Sequence, residues 1–382
     1  MHIGFLTSEY PSLSTSCGGI ATSVKNLATV LIQGGHQVSV FLYGQDKDDM
    51  IEIDKIKIFR IQNKNFKGIS WLLTRNKIRK IINHEVDKNN LQLIEAADWT
   101  GITAFMKLNC PILLKLHGSD GYFCHIEGRK QKYKNFLLEK IALKSADAIV
   151  SVSNYTAELT KKIFGVKCFI KVIHNGIDPN VFKTTNHTDS IKGRLLYFGT
   201  LIRKKGVLEL PHIFNRVIEN YPEATLFLIG GDSFDIKTGS SSTWELMKPL
   251  FSEKALKHTH YIGKVPYNEM QTHIKQAEIC VFPSFAEAFP ISWLEGMAMA
   301  KPIVGSDEGW AREAIENGTS GLLCNPVKHQ EYAKGIERIL NDRSYGHRLG
   351  VNARIRIEKL FDANTIANKN VQFYQSVIEG KK

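Results

Sequence analysis

Residues 283–302 read PSFAEAFPISWLEGMAMAKP and follow the short apolar run EICVF. The run is typical of a buried parallel strand, and Pro290 suits the first position of a helix, where a missing N–H has no hydrogen bond to lose. We expect that helix to run to about Ala300 and to stop before Pro302. A buried strand that leads directly into a helix is the building unit of α/β proteins with parallel sheets.

Two carboxylates mark this junction, Glu287 in the turn and Glu295 inside the predicted helix. Glu295 is the only charged side chain of that helix, and a lone carboxylate among apolar residues is costly to bury without hydrogen-bond donors. Glu287 stands beside the N–H groups of the first helical turn and the positive end of the helix dipole. The junction therefore suits a ligand that carries both hydroxyls and phosphates. The alternative is that Glu287 only caps the helix and that Glu295 is paired with a water or an arginine.

The length and composition are those of a soluble globular protein. The chain has 382 residues, of which 43% are hydrophobic and 23% charged, which is enough for two domains with full cores and excludes a disordered or fibrous chain. No cysteine spacing matches a metal site, and neither a secretion signal nor a transmembrane run is recognisable. We therefore expect a cytoplasmic protein with reduced thiols. The cysteines are Cys17, Cys110, Cys124, Cys168, Cys280 and Cys324.

The positive charge is concentrated in the first half of the chain. The net charge is +12, and residues 1–183 contain 25 basic against 16 acidic side chains, whereas the remainder contains 25 against 22. Segments 64–80 and 128–144 alternate cations with aromatic and aliphatic side chains. This pattern favours peripheral contact with an anionic membrane or an anionic substrate, and a solvated basic face has the same pattern. No motif supports nucleic acid as a partner.

Short apolar runs alternate with helical patterns along the whole chain, which indicates parallel sheets covered on both faces. Six runs precede a polar segment at 183–193 and six follow it, so two doubly wound Rossmann-like domains are predicted. We expect domains at 1–183 and 184–362, and a C-terminal helix within 363–382. The predicted strands are 2–8, 37–44, 91–97, 111–118, 148–153, 169–176, 194–200, 224–231, 259–265, 278–284, 302–307 and 321–326.

Ligands of such sheets bind beyond the carboxyl ends of the strands, and several strand ends carry suitable residues. After the first strand, Gly18 and Gly19 precede a helix and allow a close approach of backbone to ligand, although a plain tight turn explains them as well. The fourth strand ends at His117, which faces either a ligand or a structural partner. The seventh strand leads into GTLIRKKG, where Arg203 and Lys205 suit a diphosphate or a solvated basic loop.

Together these motifs resemble the retaining glycosyltransferases of family 4, which have the GT-B fold. The resemblance spans nearly the whole chain. It implies two Rossmann-like domains that face each other across a cleft, the first for the acceptor and the second for a nucleotide-sugar donor, with the C-terminal helix crossing back onto the first. The features that carry it are the glycine pair at 18–19, GHQV at 35–38, His117, HNGID at 174–178 followed by Phe182, Lys205-Gly206, GKV at 263–265, and E-x7-E followed by SD, Glu313 and GLL.

The resemblance also implies a role for each site residue. Glu287 would hold hydroxyls of the donor sugar, and Glu295 would hold the ribose of the nucleotide. Lys205 and a preceding arginine would neutralise the diphosphate, while His117 would face the transferred sugar. The other donor-binding positions that the family implies are Gly18, Gly19, Val265, Phe289, Pro290 and Ile291.

One position departs from the family pattern. The family usually has Gly-Arg at the end of the first strand of the second domain, where this chain has Gly199-Thr200, and we expect Arg203 to supply the missing guanidinium. Cleavage of a sugar–phosphate bond builds negative charge on the diphosphate, which fixed cations and helix N–H groups stabilise. We therefore expect neither a metal nor another cofactor. Retention by same-face attack is implied, with Glu287 as a binding group; a glycosidase-type nucleophile is the alternative.

The prediction is a hexosyltransferase-type enzyme that uses a nucleotide-diphosphate sugar and a glycan or glycolipid acceptor in the synthesis of cell-surface polysaccharide or glycoconjugate. We expect it in the cytoplasm, at the inner face of the membrane. Two alternatives have the same binding groups. One is a nucleotide-sugar 2-epimerase of the same fold, and the other is a non-catalytic partner subunit that binds a nucleotide sugar.

Overall fold

The computed structural model describes residues 1–11, 13, 18–184 and 189–380, which form two compact units. Unit 1 is Met1–Gly176 with Ala363–Lys382, and unit 2 is Ile177–Asp362. The C-terminal helix therefore belongs to the first unit. The chain passes from unit 1 to unit 2 after Gly176, before the expected boundary at 183, and returns to unit 1 at Ala363. Cys17 and residues 185–188 of the predicted linker lie outside the described residues.

Unit 1 is built on an eight-stranded sheet with the strand order β3-β4-β2-β1-β5-β6-β7-β8. Each neighbouring pair is parallel except β3 with β4. The strands are β1 (His2–Thr7), β2 (Gln37–Gln45), β3 (Asp49–Ile53), β4 (Ile56–Gln62), β5 (Leu93–Ala97), β6 (Ile112–Leu116), β7 (Ala148–Ser151) and β8 (Lys171–Val172). The helices are α1 (Gly19–Gln33), α2 (Ser70–Asn89), α3 (Asp120–Ile126), α4 (Tyr133–Ser145) and α5 (Asn154–Phe164), with the C-terminal helix at Ala363–Ile378.

The sequence prediction missed the antiparallel hairpin of β3 and β4. Its turn is made by Asp54 and Lys55, which adopt φ values of 52° and 65°. Both values lie in the left-handed region that normally favours glycine or asparagine, so the turn has no sequence signature. The hairpin places an antiparallel edge strand on an otherwise parallel sheet, which is common in doubly wound proteins.

Two hydrophobic layers cover the faces of the unit 1 sheet. One layer packs α1 and the C-terminal helix on β1, with Val24, Ile366 and Tyr374 buried against Ile3 and Phe5. The other layer contains the buried side chains of α2, α4 and α5. The C-terminal helix therefore completes the core of unit 1, as the family resemblance implied.

Unit 2 is built on a six-stranded sheet, all parallel, with the order β11-β10-β9-β12-β13-β14. The strands are β9 (Arg194–Phe198), β10 (Thr225–Ile229), β11 (Thr259–Gly263), β12 (Ile279–Phe282), β13 (Ile303–Ser306) and β14 (Leu322–Cys324). The helices are α6 (Leu210–Asn220), α7 (Thr243–Met247), α8 (Glu253–Lys257), α9 (Tyr267–Gln276), α10 (Ile291–Ala298), α11 (Ala311–Ala314), α12 (His329–Asn341) and α13 (Arg343–Arg356), and the C-terminal helix of unit 1 is α14. Every predicted strand is present, so the prediction of two doubly wound sheets is confirmed.

Candidate active site

Two loops meet at the carboxyl edge of the unit 2 sheet, because β9 and β12 are parallel neighbours at its centre. The loop after β9 ends at Gly206, whose φ is +63°. A Cβ at this position would lie 1.8 Å from the carbonyl oxygen of Pro283, so only glycine allows the contact. The backbone N–H groups of Phe285 and Ala286 donate to the carbonyl oxygen of Lys204. These contacts hold the basic turn against the turn that carries Glu287.

Lys205 and Glu287 form an ion pair at this junction. The distance from Lys205 Nζ to Glu287 Oε1 is 2.8 Å, and Ser284 Oγ donates to the same carboxylate oxygen at 3.2 Å. Both charged side chains are mostly buried, at 21% and 13% exposed. A cation and a carboxylate that the sequence placed in separate motifs are thus brought together.

Helix α10 begins next to this ion pair. Pro290 is its N-cap rather than its first helical residue, and the helix ends at Ala298, two residues before the predicted end at Ala300. Ala300 has a φ of +56°, which turns the chain out of the helix. The N-cap residue Pro290 makes no side-chain capping hydrogen bond. The positive end of the helix dipole therefore faces the region of Glu287.

Glu295 is buried inside α10, with 5% of its surface exposed. The hydroxyl of Tyr267 donates to Glu295 Oε1 at 2.6 Å. Burial raises the pKa of Glu295 to about 7, although the Tyr267 hydrogen bond and the charge of Lys205 act in the opposite direction. The side-chain partner that the structure shows for this carboxylate is therefore a tyrosine rather than an arginine.

Arg203 makes a bidentate pair with Asp235. Its Nε and Nη2 groups lie 2.8 Å from the two carboxylate oxygens. Thr238 donates to Asp235 from its backbone N–H and from its hydroxyl. These donors hold the pKa of Asp235 well below its usual range. The guanidinium thus anchors the loop after β10, and its contact with a diphosphate stays a prediction.

The remaining unit 2 positions lie around the same edge. Val265 follows the end of β11, at Gly263, whose carbonyl oxygen accepts the N–H of Gly230. Phe289 is buried and its ring packs 5.3 Å from that of Phe361. Ile291 is buried at the first position of α10. For Phe289 and Ile291 the backbone, rather than the side chain, is therefore the group suited to a ligand.

The carboxyl edge of the unit 1 sheet carries His117, directly after β6. The imidazole is buried, and burial together with nearby Lys115 holds the pKa of His117 well below its usual range. The backbone N–H of His117 donates to Asp98 Oδ1 at 2.9 Å. Burial raises the pKa of Asp98 to about 8, so both side chains are uncharged near neutral pH.

Glu139 of α4 organises the loops around this edge, although the sequence analysis did not identify it. Its buried carboxylate accepts hydrogen bonds from the backbone N–H groups of Thr100, Asp120 and Gly121 and from the side chain of Gln131. These donors come from the loop after β5, the start of α3 and the segment before α4. Glu139 is the only carboxylate in the apolar run FLLEKIAL, a signal similar to that of Glu295 except that Lys140 lies beside it.

Gly18 and Gly19 lie at the start of α1. Gly18 is the N-cap residue, and its N–H donates to Glu9 Oε2 at 2.8 Å. A Cβ at Gly19 would meet no atom within 4 Å. Their predicted contact with a ligand stays a prediction, and the adjacent residues 14–17 lie outside the described part of the chain.

The described residues contain neither a candidate metal site nor a candidate membrane-spanning helix. No group of three or more His, Cys, Asp or Glu side chains among them is arranged to hold a metal ion. Within the same residues, no helix has both the length and the apolar composition needed to cross a bilayer.

Comparison with known families and proteins gives a consistent result. The family described as "Glycosyltransferase Family 4" matches residues 17–181, and "Glycosyl transferases group 1" matches residues 182–356. An uncharacterized glycosyltransferase of Methanocaldococcus jannaschii is 24% identical over 99% of both chains. The alpha-monoglucosyldiacylglycerol synthase of Acholeplasma laidlawii is 23% identical over 93% of this chain and 92% of its own. The Anabaena protein HepE, solved in complex with UDP-glucose, has a TM-score of 0.78 at 20% identity and covers 98% of this chain and all of its own.

Proposed function

Because this chain belongs to glycosyltransferase family 4, we propose that it transfers a sugar from a nucleotide-diphosphate sugar to a glycan or glycolipid acceptor with retention of anomeric configuration. The protein is a glycosyltransferase of the GT-B fold. The observation that carries the finer proposal is the Lys205–Glu287 ion pair beside the start of α10, the helix that also contains Glu295. No comparison favours the 2-epimerase or the non-catalytic alternative.

In this reaction, departure of the diphosphate is the step in which electrostatic stabilisation matters most. Negative charge develops on the phosphate oxygen as the bond to the sugar breaks. Lys205 supplies a fixed ammonium, and the first N–H groups of α10 supply a fixed dipole of the same sign. Because both are held in place before the ligand arrives, little reorganisation is needed as charge develops.

Glu287 binds the donor sugar in this proposal. Its ion pair with Lys205 and its hydrogen bond from Ser284 fix the carboxylate beside the diphosphate position. A carboxylate held by a cation is a poorer nucleophile than a solvated one, which favours hydrogen bonding to sugar hydroxyls over a glycosidase-type covalent step. The acceptor hydroxyl then attacks from the face that the diphosphate leaves. Its proton passes to the departing phosphate oxygen, and attack on that same face preserves the anomeric configuration.

The acceptor is proposed to be lipid-linked or to lie at a membrane, because unit 1 exposes a mixed aromatic and basic surface. Lys134 of α4 lies 4.9 Å from the ring centroid of Trp71 in α2, and the ring of Phe105 lies 6.1 Å from that of Trp71. The first turns of α2 and α4 are therefore neighbours. We call this surface the α2–α4 face. Its exposed members are Lys64, Phe66, Lys67, Ile69, Leu72, Phe105, Lys132, Tyr133, Lys134 and Leu137.

An anionic bilayer fits the α2–α4 face better than a solvated basic face does. A solvated face needs only charged side chains, whereas here Phe66 and Tyr133 are exposed at 62% and 78%. Aromatic rings favour the interfacial region of a bilayer, and lysines favour its anionic headgroups. The inner leaflet of the cell membrane supplies both, so we propose that the enzyme works there.

The proposed reaction is tested by incubation with UDP-, GDP- and ADP-sugars and lipid or glycan acceptors. We expect transfer with at least one pair, and product NMR should show the anomeric configuration of the donor. Glu287→Gln should reduce transfer strongly, whereas the control Glu253→Gln, on the exposed side of α8, should not. A new free sugar nucleotide without acceptor would favour the epimerase. Donor binding without turnover for any acceptor would favour the partner subunit, and no donor binding would refute the proposal.

A further inference from the structure

Tyr267, at the first position of α9, makes a hydrogen bond that neither the motifs nor the family resemblance indicated. Its hydroxyl donates to Glu295 Oε1 at 2.6 Å, across 28 residues of sequence. The residue is 44% exposed at the surface, yet burial of the hydroxyl and the neighbouring Glu295 raise the pKa of Tyr267 far above its usual value. The hydroxyl therefore stays protonated and acts as a donor at all working pH values.

The ring of Tyr267 is held by an anchored neighbour. It makes an edge-on contact with the ring of Phe182, at 5.9 Å between centroids and 72° between planes. Phe182 is itself 1% exposed. Arg354 of α13 donates to the carbonyl oxygens of Phe182, Pro179 and Ala298, at 2.8, 3.1 and 2.6 Å.

These contacts connect Glu295, Tyr267, Phe182 and Arg354 in a ring that returns to α10, all within unit 2. Ala298 is the last residue of α10, the helix that contains Glu295. Arg354 therefore ties the segment before β9 to the same helix whose carboxylate Tyr267 holds. Phe182, which follows HNGID in the sequence and which the family resemblance includes, therefore packs against and supports the ring of Tyr267.

Tyr267 uses one oxygen of Glu295 and leaves the other for a ligand. Among the described residues, Tyr267 is the only hydrogen-bond donor to this carboxylate. A carboxylate with one oxygen fixed and the other unpaired can accept from a hydroxyl in a defined direction. A buried carboxylate without the tyrosine would be free to rotate and would lose part of the support for its charge.

We propose that Tyr267 is a positioning residue that holds Glu295 in the orientation and charge state needed to accept hydrogen bonds from the ribose hydroxyls of a nucleoside diphosphate. This inference rests on the proposed function, because it assigns the ligand of Glu295. Two titratable groups act on Glu295 from neighbouring elements, Tyr267 from α9 and Lys205 from the turn after β9. Both favour the carboxylate over the carboxylic acid, so loss of the tyrosine hydroxyl should favour the acid.

The test is calorimetric titration of the full chain with the nucleoside diphosphate it binds best and with the 2′- and 3′-deoxy forms of that nucleotide. The wild type should prefer the ribonucleotide over at least one deoxy form by about tenfold or more, as expected for a hydrogen bond to a charged group. Tyr267→Phe should weaken ribonucleotide binding about tenfold and largely remove the preference. Tyr221→Phe is the matched control, because that hydroxyl makes only a 3.5 Å contact with the carbonyl oxygen of Glu337.

The pH dependence separates positioning from a merely structural role. Wild-type affinity for the ribonucleotide should increase as the pH rises through about 7, where Glu295 ionises. In Tyr267→Phe that increase should move to higher pH, and the donor KM should rise more than kcat falls. Phe182→Leu, which loosens the ring support, should shift both quantities in the same direction by less.

Two results would overturn the inference while leaving the proposed function intact. One is ribonucleotide binding by Tyr267→Phe with wild-type affinity and preference. The other is an unchanged pH profile in a variant that has lost affinity, which would indicate a general loss of structure. Failure of the wild type to bind any nucleoside diphosphate would instead refute the proposed function, and this inference with it.

Discussion

The carboxyl edges of the two sheets share a doubly wound architecture but differ in charge. In unit 2, Lys205 and Glu287 form an ion pair beside the start of α10. In unit 1, His117 has a pKa well below its usual range, and burial raises the pKa of the neighbouring Asp98 to about 8. The edge of unit 2 therefore carries an ion pair, whereas His117 and Asp98 at the edge of unit 1 are uncharged near neutral pH.

This difference matches the two kinds of ligand that a sugar transfer requires. A diphosphate leaving group needs cations that are already in place. Sugar hydroxyls are neutral, and uncharged side chains can bind them without the desolvation of a full charge. Several lysines of unit 1 lie on the α2–α4 face, where they are interleaved with exposed aromatic rings.

The largest effect is expected from the cation of unit 2. Lys205→Met removes the ammonium that we propose neutralises the leaving diphosphate, and we expect kcat/KM for sugar transfer to fall by roughly 10²- to 10³-fold. Lys257→Met, on the exposed side of α8, is the control and should leave the rate unchanged. A loss of less than about threefold in Lys205→Met would contradict the proposal that Lys205 stabilises the leaving diphosphate.

The next effect concerns the carboxylate that organises unit 1. Glu139→Ala leaves three backbone N–H groups, one buried and two half-buried, without their acceptor, and each such group costs about 1 kcal/mol. Urea unfolding should therefore show a loss of about 3 kcal/mol in the free energy of unfolding. Glu158→Ala, at an exposed position of α5, should change it little. Equal stability of the two variants would show that Glu139 is not the organising group.

A smaller effect should depend on pH and arises from Glu295. Its pKa in the folded protein, about 7, is above the ordinary value of 4.5, so the protein loses stability as the pH rises from about 4.5 through 7. Glu295→Gln removes this loss. We expect its melting temperature to exceed that of the wild type by about 2 °C or more at pH 8, with the advantage disappearing near pH 5. An advantage of the same size at both pH values would rule out this origin.

The last effect is expected outside the site, in membrane binding by the α2–α4 face. Lys64→Glu with Lys67→Glu should weaken binding to vesicles that contain phosphatidylglycerol, because each basic residue near an anionic surface contributes about 1 kcal/mol. Wild-type pelleting should also fall as salt increases. The activity on a soluble acceptor should not change. Salt-independent pelleting, or pelleting of the double variant equal to that of the wild type, would show that this surface does not bind vesicles electrostatically.

The sequence predicted the fold well because its signals are local. Apolar runs identified every strand except β3 and β4, whose turn at Asp54 and Lys55 has left-handed backbone angles without a glycine. The position of Glu287 beside the start of α10 was predicted, because one short motif contains both. Contacts were not predicted where the partner is distant along the chain, as with Tyr267 for Glu295 and Asp235 for Arg203. Such pairs depend on which loops the sheet order brings together.

Thermal unfolding with added nucleoside diphosphates tests the central claim most directly, namely that the Lys205–Glu287 junction binds the diphosphate of a sugar donor. We predict that UDP, GDP or ADP raises the free energy of unfolding of the wild type by about 2.7 kcal/mol at a concentration of 100 times its Kd. The same nucleotide should have a much smaller effect on Lys205→Met. Equal stabilisation of both proteins, or no stabilisation of the wild type by any of the three, would contradict the account.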